Sequence, residues 1–92
     1  MIVSFKTTDT ANLAQGVRVK RFQSIESAAR RKLRQLQIAG QLEDLRVPPG
    51  NRLELLKGNR AGQYSIRVND QYRLCFRWTV AGPADVELVN YH

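Results

Sequence analysis

Pro48-Pro49-Gly50 divides the chain into two halves that obey different periodicities. Proline lacks an amide donor and its ring blocks the preceding helical turn, so no regular element runs through that tripeptide. Upstream, Ile25, Ala29, Leu33 and Leu36 lie four, four and three residues apart and form one apolar helical stripe. Arg30, Arg31, Lys32 and Arg34 occupy its other faces. Ser24 suits the N-cap of this helix, Glu26 its first turn and Gly40 its end, with Leu42 and Leu45 adding one more turn. Ahead of it, Ile2 to Phe5 reads as a short strand, and Thr8, Asp9 or Thr10 caps a brief helix through Leu13 that Gly16 ends. Gly16 to Phe22 fits either a basic loop or part of a turn. Downstream the period is two. Tyr64, Ile66 and Val68 alternate with Ser65 and Arg67, and Tyr72, Leu74, Phe76 and Trp78 with Arg73, Cys75 and Arg77. A last strand, Val86 to Tyr91, follows the turn Ala81-Gly82-Pro83, and a shorter one is expected at Arg52 to Leu56.

Strand register follows from keeping the apolar residues on one face, because a slip of one residue turns the whole set towards solvent. A three-residue loop, Asn69 to Gln71, pairs Ile66 with Leu74 and Tyr64 with Phe76, whereas a two-residue turn at Asn69-Asp70 sets Ile66 against Arg73. The three-residue loop is the consistent choice. By the same test a loop at Ala81 to Pro83 pairs Trp78 with Val86 and Phe76 with Leu88. On the opposite face this register sets Arg67 against Arg73, Arg73 against Tyr91, and Arg77 against Glu87 as an ion pair. Two arginines face to face destabilise a sheet unless an anion lies between them or both splay into solvent. Neither has an evident acidic partner in the sequence.

The charge balance indicates which anion. Lys plus Arg number 15 against 8 Asp plus Glu, a net charge of +7 at pH 7, and eleven of the cations are Arg. The planar guanidinium fork matches phosphate oxygens bidentately, which favours nucleic acid over a merely solvated basic surface. Membrane attachment is disfavoured, since the cations are spread along the chain and no stretch approaches the roughly 20 apolar residues of a spanning helix. MIVSFKTTDT has no secretory pattern, so a cytoplasmic location is expected. At 92 residues, 42% hydrophobic and 25% charged, the chain is expected to fold as one domain, residues 1–92. One cysteine, Cys75, and one histidine, His92, exclude an internal disulfide and furnish no zinc set, so neither metal nor cofactor is expected. Cys75 lies inside a strand pattern and reads as a packed thiol.

Metal-free RNA cleavage uses the substrate's own 2′-hydroxyl as nucleophile. The protein must then take that proton, stabilise charge on the phosphate and protonate the leaving 5′-oxygen. His92 has the ordinary pKa nearest neutrality and suits acid or base work, with a frayed terminus as the alternative. Tyr91 suits proton donation or stacking on a base, against plain strand packing. Arg73 would neutralise the phosphoryl group, and Lys57, in the turn Lys57-Gly58-Asn59-Arg60, would add a second cation. Asn90 can orient the imidazole or a hydroxyl but is too weak a base to accept the proton. Arg60 and Arg67 are the candidate RNA-binding cations.

The segments Arg52-Leu53-Glu54, Leu56-Lys57-Gly58-Asn59-Arg60, Tyr64-Ser65-Ile66-Arg67-Val68-Asn69 and Gln71-Tyr72-Arg73-Leu74-Cys75-Phe76, closing on Asn90-Tyr91-His92, resemble the HigB group of the RelE/ParE toxin superfamily. The resemblance covers roughly the last 45 residues. It implies an α+β, RelE-like fold: a twisted, mostly antiparallel sheet of four to five strands with two N-terminal helices packed on one face. It also implies a type II toxin-antitoxin system toxin, a ribosome-dependent endoribonuclease that cuts mRNA in the 30S A site and so inhibits translation. The partners implied are mRNA on the ribosome and a cognate helix-turn-helix antitoxin, HigA-like, whose complex with the toxin binds operator DNA. Lys57, Arg73, Tyr91 and His92 match the family's active surface. Asn90 departs from it, since relatives often carry an acidic residue there, and Glu54 stands where some carry a histidine. Two other readings compete. A ParE-like toxin acting on gyrase gives no chemical role to a terminal imidazole beside a tyrosine, and a non-catalytic RNA- or ribosome-binding module binds with a salt-dependent affinity but does not cut.

Overall fold

Each half of the chain adopts the structure its periodicity calls for. A computed structural model describes residues 1–91. Helices α1 (Thr8–Ala14) and α2 (Glu26–Ile38) precede strands β1 (Glu54–Leu55), β2 (Tyr64–Arg67), β3 (Tyr72–Thr79) and β4 (Gly82–Asn90). Short 3-10 turns lie at Lys20–Ile25, Leu42–Arg46, Pro49–Asn51 and Gly58–Arg60. The architecture is α+β, as expected. No helix among the described residues is long and apolar enough to cross a membrane.

The cap of α1 is Thr7, one residue ahead of the expected candidates, and its hydroxyl accepts from the Thr10 amide at 3.2 Å. Four consecutive residues here can cap, and Thr10 is engaged elsewhere. Fully buried, its hydroxyl accepts from the Leu88 amide at 3.1 Å and fastens α1 to β4. Gly16, at φ +87°, ends the helix in a conformation that other residues seldom adopt. Ser24 is not the cap of α2, because the 3-10 turn Lys20–Ile25 feeds directly into the helix and leaves Ile25 at the N-cap without a side-chain hydrogen bond. Arg30 binds Glu26 one turn away, at 2.9 Å. Ala29, Leu33 and Leu36 point inwards as their spacing requires.

The four strands form one antiparallel sheet in the order β1-β2-β3-β4. Tyr64 faces Phe76, Ile66 faces Leu74 and Arg67 faces Arg73, the register expected of the first hairpin. The second hairpin differs. Thr79 pairs with Gly82 and Trp78 with Pro83 across a two-residue turn, Val80-Ala81, and beyond a bulge Cys75 pairs with Glu87 and Leu74 with Leu88. Asp85 supplies the extra residue, at φ +52°. Arg73 consequently faces Val89 rather than Tyr91. Arg77 pairs with Asp85 at 2.8 Å rather than with Glu87, which instead receives Arg60 at 3.2 Å.

Along the outer edge of β4 runs the first segment of the chain, where the sequence suggested a strand. It is short and parallel: Phe5 bridges Val86, Val3 donates to the Pro83 carbonyl at 2.7 Å, and Val86 donates to the Ser4 carbonyl at 3.1 Å. Gly82 lies so close that a Cβ there would sit 2.2 Å from the Met1 carbonyl oxygen. Between the helices and the sheet, Phe22, Leu33, Leu36, Leu45, Ile66, Leu74, Phe76, Val86 and Leu88 form the core. One polar side chain is locked in beside them. Asn51, fully buried, donates to Gln35 Oε1 at 2.8 Å and to the Leu45 carbonyl at 3.1 Å, and accepts from Lys32 Nζ at 2.6 Å. It joins α2 to the proline-rich segment.

The bulge carries a pH signature. The hydrogen bond from Arg77 holds the Asp85 carboxyl below its ordinary value, with Lys6 and Ser4 contributing, against a smaller opposing effect of desolvation. A carboxyl depressed in the folded state stabilises the protein above its unfolded pKa, and that contribution is lost as the pH falls through the folded value. Asp85→Asn, which tolerates the same positive φ, is expected to melt slightly below the wild type at neutral pH. The gap should close as the pH falls below about 4. A gap of constant size in thermal melts across that range would show the ion pair to be irrelevant.

Candidate active site

Antiparallel pairing puts directly opposed residues on the same face, so the pairs Glu54 with Ser65, Ser65 with Cys75 and Arg67 with Arg73 build one surface away from the core. Arg73 is its centre. Only 8% of the residue is exposed. Its Nε donates to Ser65 Oγ at 2.8 Å, and its Nη2 donates to the Arg52 carbonyl at 2.6 Å. Glu54 Oε1 lies 3.1 Å from the same Nη2. The Tyr91 ring centroid is 5.6 Å from the guanidinium carbon, within cation-π range. Tyr91 reaches this place because it follows Val89 by two residues, which makes it a same-face diagonal neighbour of Arg73.

The apparent confrontation of Arg67 with Arg73 is resolved within the chain, contrary to the expectation that neither had an acidic partner. Arg67 forms an ion pair with Asp70 in the hairpin loop, and Arg73 with Glu54 on β1. Pairing of the two-residue strand β1 with β2 carries Glu54 to within reach of β3. A pocket of about 230 Å³ opens here, bounded by Arg52, Glu54, Arg67, Asn69, Asp70, Arg73 and Tyr91. A larger one, about 410 Å³, lies on the helical side against α1 and α2. It offers less chemistry: no acidic side chain lines it, and its Arg30 is committed to Glu26 and to the Leu13 carbonyl.

The remaining site candidates lie around or apart from this pocket. Lys57 is exposed immediately before the turn Gly58–Arg60 and is not on the pocket wall. Arg60 is half-buried, its Nη1 donating to Glu87 at 3.2 Å and to Gln63 at 3.1 Å. Asn90 ends β4, exposed and opposite Tyr72. The Tyr91 amide donates to the Gln71 carbonyl at 2.7 Å, anchoring the chain just past β4. His92 lies outside the described residues.

Sequence reasoning did not bring Glu54 to Arg73, nor Ser65 and Arg52 beneath it. Ser65 carried a signal: a small polar residue at an alternating position opposite strand residues leaves room for a long side chain to lie across it. Cys75 is a packed thiol, as expected, and burial pushes its pKa up, away from thiolate chemistry. Burial pushes the Lys32 ammonium down, with Arg31 and then Arg67 adding repulsion. Among the described residues no group of three His, Cys, Asp or Glu side chains could hold a metal. The pocket thus offers a fixed guanidinium, an aromatic face and a carboxylate, a set suited to gripping a phosphodiester and stacking the base beside it.

Comparison with known proteins agrees with this reading of the fold. The family model described as RelE-like toxin of type II toxin-antitoxin system HigB matches residues 13–92. Toxin HigB-1 of Vibrio cholerae is 60% identical over 55 residues, covering 60% of this chain and 58% of that protein. An uncharacterized protein of Haemophilus influenzae is 48% identical over 48 residues, covering 52% of this chain and 48% of that protein. The chain therefore spans about half the length of these relatives. With two helices laid against a four-stranded antiparallel sheet and the family match running through nearly all of it, the chain belongs to the HigB-like toxins of type II toxin-antitoxin systems, which have the RelE-like fold.

Proposed function

We propose that this toxin is a metal-independent endoribonuclease that cuts mRNA in the 30S A site of the translating ribosome and so halts translation. The observation that carries the reading is Arg73: a guanidinium held almost wholly buried by Ser65 and Arg52, with one side open to the pocket that Tyr91 helps to wall. A cation fixed in advance stabilises charge developing on a phosphate at no reorganisation cost when the reaction occurs. Arg73 neutralises the transferring phosphoryl group, Tyr91 stacks on a base or donates a proton, and His92 serves as the acid. Lys57 adds a second cation at the phosphoryl group, Asn90 orients the imidazole or a hydroxyl, and Arg60 and Arg67 bind the mRNA.

Ribosome dependence follows from the scarcity of strong acids and bases, which leaves much of the rate to substrate positioning. A cytoplasmic location, a single domain over residues 1–92 and a HigA-like helix-turn-helix antitoxin that joins the toxin on operator DNA complete the reading. Primer extension on one mRNA, naked and on translating ribosomes, tests it. Breaks at A-site codons are expected only with ribosomes. Equal cutting of naked mRNA would refute ribosome dependence, and an intact transcript in both would refute the activity.

A further inference from the structure

Arg52 sits at φ +47° and ψ +57°, the left-handed region, which a residue with a Cβ enters at a cost. Glycine or asparagine is the ordinary occupant of such a turn end. The Arg52 side chain is exposed at the pocket rim, so its packing does not account for the conformation. The backbone is what is engaged. The Arg52 amide donates to the Pro49 carbonyl at 3.1 Å, and the Arg52 carbonyl accepts from Arg73 Nη2 at 2.6 Å. We infer that Arg52 is a positioning residue whose left-handed backbone aims the carbonyl that fixes the Arg73 guanidinium; the inference rests on the nuclease reading. Cleavage then depends on this backbone and not only on the charge that the side chain carries.

A planar guanidinium needs two fixed contacts before its open nitrogen points one way, because with a single contact it pivots about the bonded atom. Ser65 Oγ supplies the first, at Nε and 2.8 Å, and the Arg52 carbonyl the second, at Nη2. The other acceptors near Nη2 hold it less firmly. The Ser65 carbonyl is 3.4 Å away, and Glu54 Oε1, at 3.1 Å, belongs to a side chain 55% exposed, which solvent can draw aside. Arg73 Nη1 donates to no described residue and is not sealed from solvent, so it is the nitrogen open to the pocket. The Arg52 carbonyl is itself anchored from both sides. Asn51, the preceding residue, is fully buried and bonded to Gln35 on α2 and to the Leu45 carbonyl, and two residues further on Glu54 pairs with Ser65. A change of backbone conformation at Arg52 therefore swings the carbonyl away from Arg73 while both anchors stay in place.

The experiment compares the full chain with Arg52→Gly, Arg52→Asn and Arg52→Val. All three variants lack the guanidinium, but glycine and asparagine accept the left-handed backbone, whereas valine, branched at Cβ, resists it. On translating ribosomes kcat of Arg52→Val is expected to fall about 10–10²-fold below that of Arg52→Gly and Arg52→Asn. The three should share one rise in KM, from the cation lost at the pocket rim. In the free protein, rotation of the Arg73 guanidinium about Nε–Cζ, read from its side-chain NMR signals, is expected to stay hindered in Arg52→Gly and Arg52→Asn and to become fast in Arg52→Val. Thermal melts establish that each variant folds, and Arg52→Ala, which also disfavours the left-handed backbone but is unbranched, replaces Arg52→Val if that variant does not. Equal kcat for Arg52→Val and Arg52→Gly would overturn the inference: both high would make the carbonyl idle, and both low would move the role to the side chain. Equal guanidinium rotation in the two would overturn it as well. Absence of cleavage by the wild type would overturn the nuclease reading, and the NMR comparison would then decide alone whether Arg52 holds Arg73.

Discussion

Arg73→Lys is expected to cut mRNA about 10²–10³-fold more slowly than the wild type, although the positive charge is kept. The reason is geometric. Arg73 divides its donors between Ser65 Oγ, the Arg52 carbonyl and Glu54, and a lysine ammonium at the end of a flexible stem cannot serve three acceptors that were spaced for a planar fork. Arg73→Ala would confuse the measurement, since it also leaves the fully buried Ser65 without its donor. That variant is expected to be less stable by about 2–4 kcal/mol, the range for breaking a buried polar network. Urea unfolding of both variants beside ribosome-bound cleavage separates the effects. Wild-type cleavage by Arg73→Lys would remove Arg73 from the chemistry, and wild-type stability of Arg73→Ala would show the network to be incidental.

The largest effect on stability is expected away from the pocket, at Asn51. Its amide donates to Gln35 Oε1 and the Leu45 carbonyl while its oxygen accepts from Lys32. Asn51→Ala removes all of these at once and deprives Lys32 of its closest acceptor in surroundings that already disfavour its charge. A loss of about 3–4 kcal/mol is expected, from unsatisfied buried groups and the small cavity left behind. For a chain of this size that corresponds to a fall in Tm of more than about 12 °C. Asn51→Asp retains an acceptor for Lys32 but cannot donate to Gln35 or Leu45, and should fall between the two. A Tm within about 4 °C of the wild type for Asn51→Ala would contradict the assignment. The consequence extends to the site, because Arg52, the next residue, sits at φ +47° and presents the carbonyl that Arg73 binds.

The same residues show how far the sequence could be read. Parity placed Ile66 against Leu74 because both strands alternate without interruption. It misplaced the next hairpin by two residues, since a two-residue turn followed by the bulge at Asp85 preserves parity as well as the three-residue loop does. Both alignments keep apolar residues facing one another, so nothing in the pattern distinguishes them. Tyr91 was brought to Arg73 by the wrong alignment, and the structure reaches the same neighbourhood by a diagonal contact. The contact of Glu54 with Arg73 was not legible because β1 is only two residues long, too short for alternation to show which face it uses. Ser24 has the chemistry of a helix cap, and only the preceding 3-10 turn, which no residue there advertises, takes the position from it.

The parallel segment on the outer edge of β4 has a kinetic consequence. Turns of two or three residues close β2, β3 and β4 into a meander, whereas the contact of Ser4 with Asp85 spans 81 residues of chain. Closing a loop of that length costs about 4 kcal/mol of chain entropy before any contact repays it, so local hairpins should form ahead of it. During that interval β4 carries an unsatisfied row of amides and carbonyls, able to recruit any extended strand that meets it, including one from another copy. Aggregation would then depend on how soon residues 3–6 arrive, making the speed of that docking as important to recovery of native toxin as the depth of the final energy well.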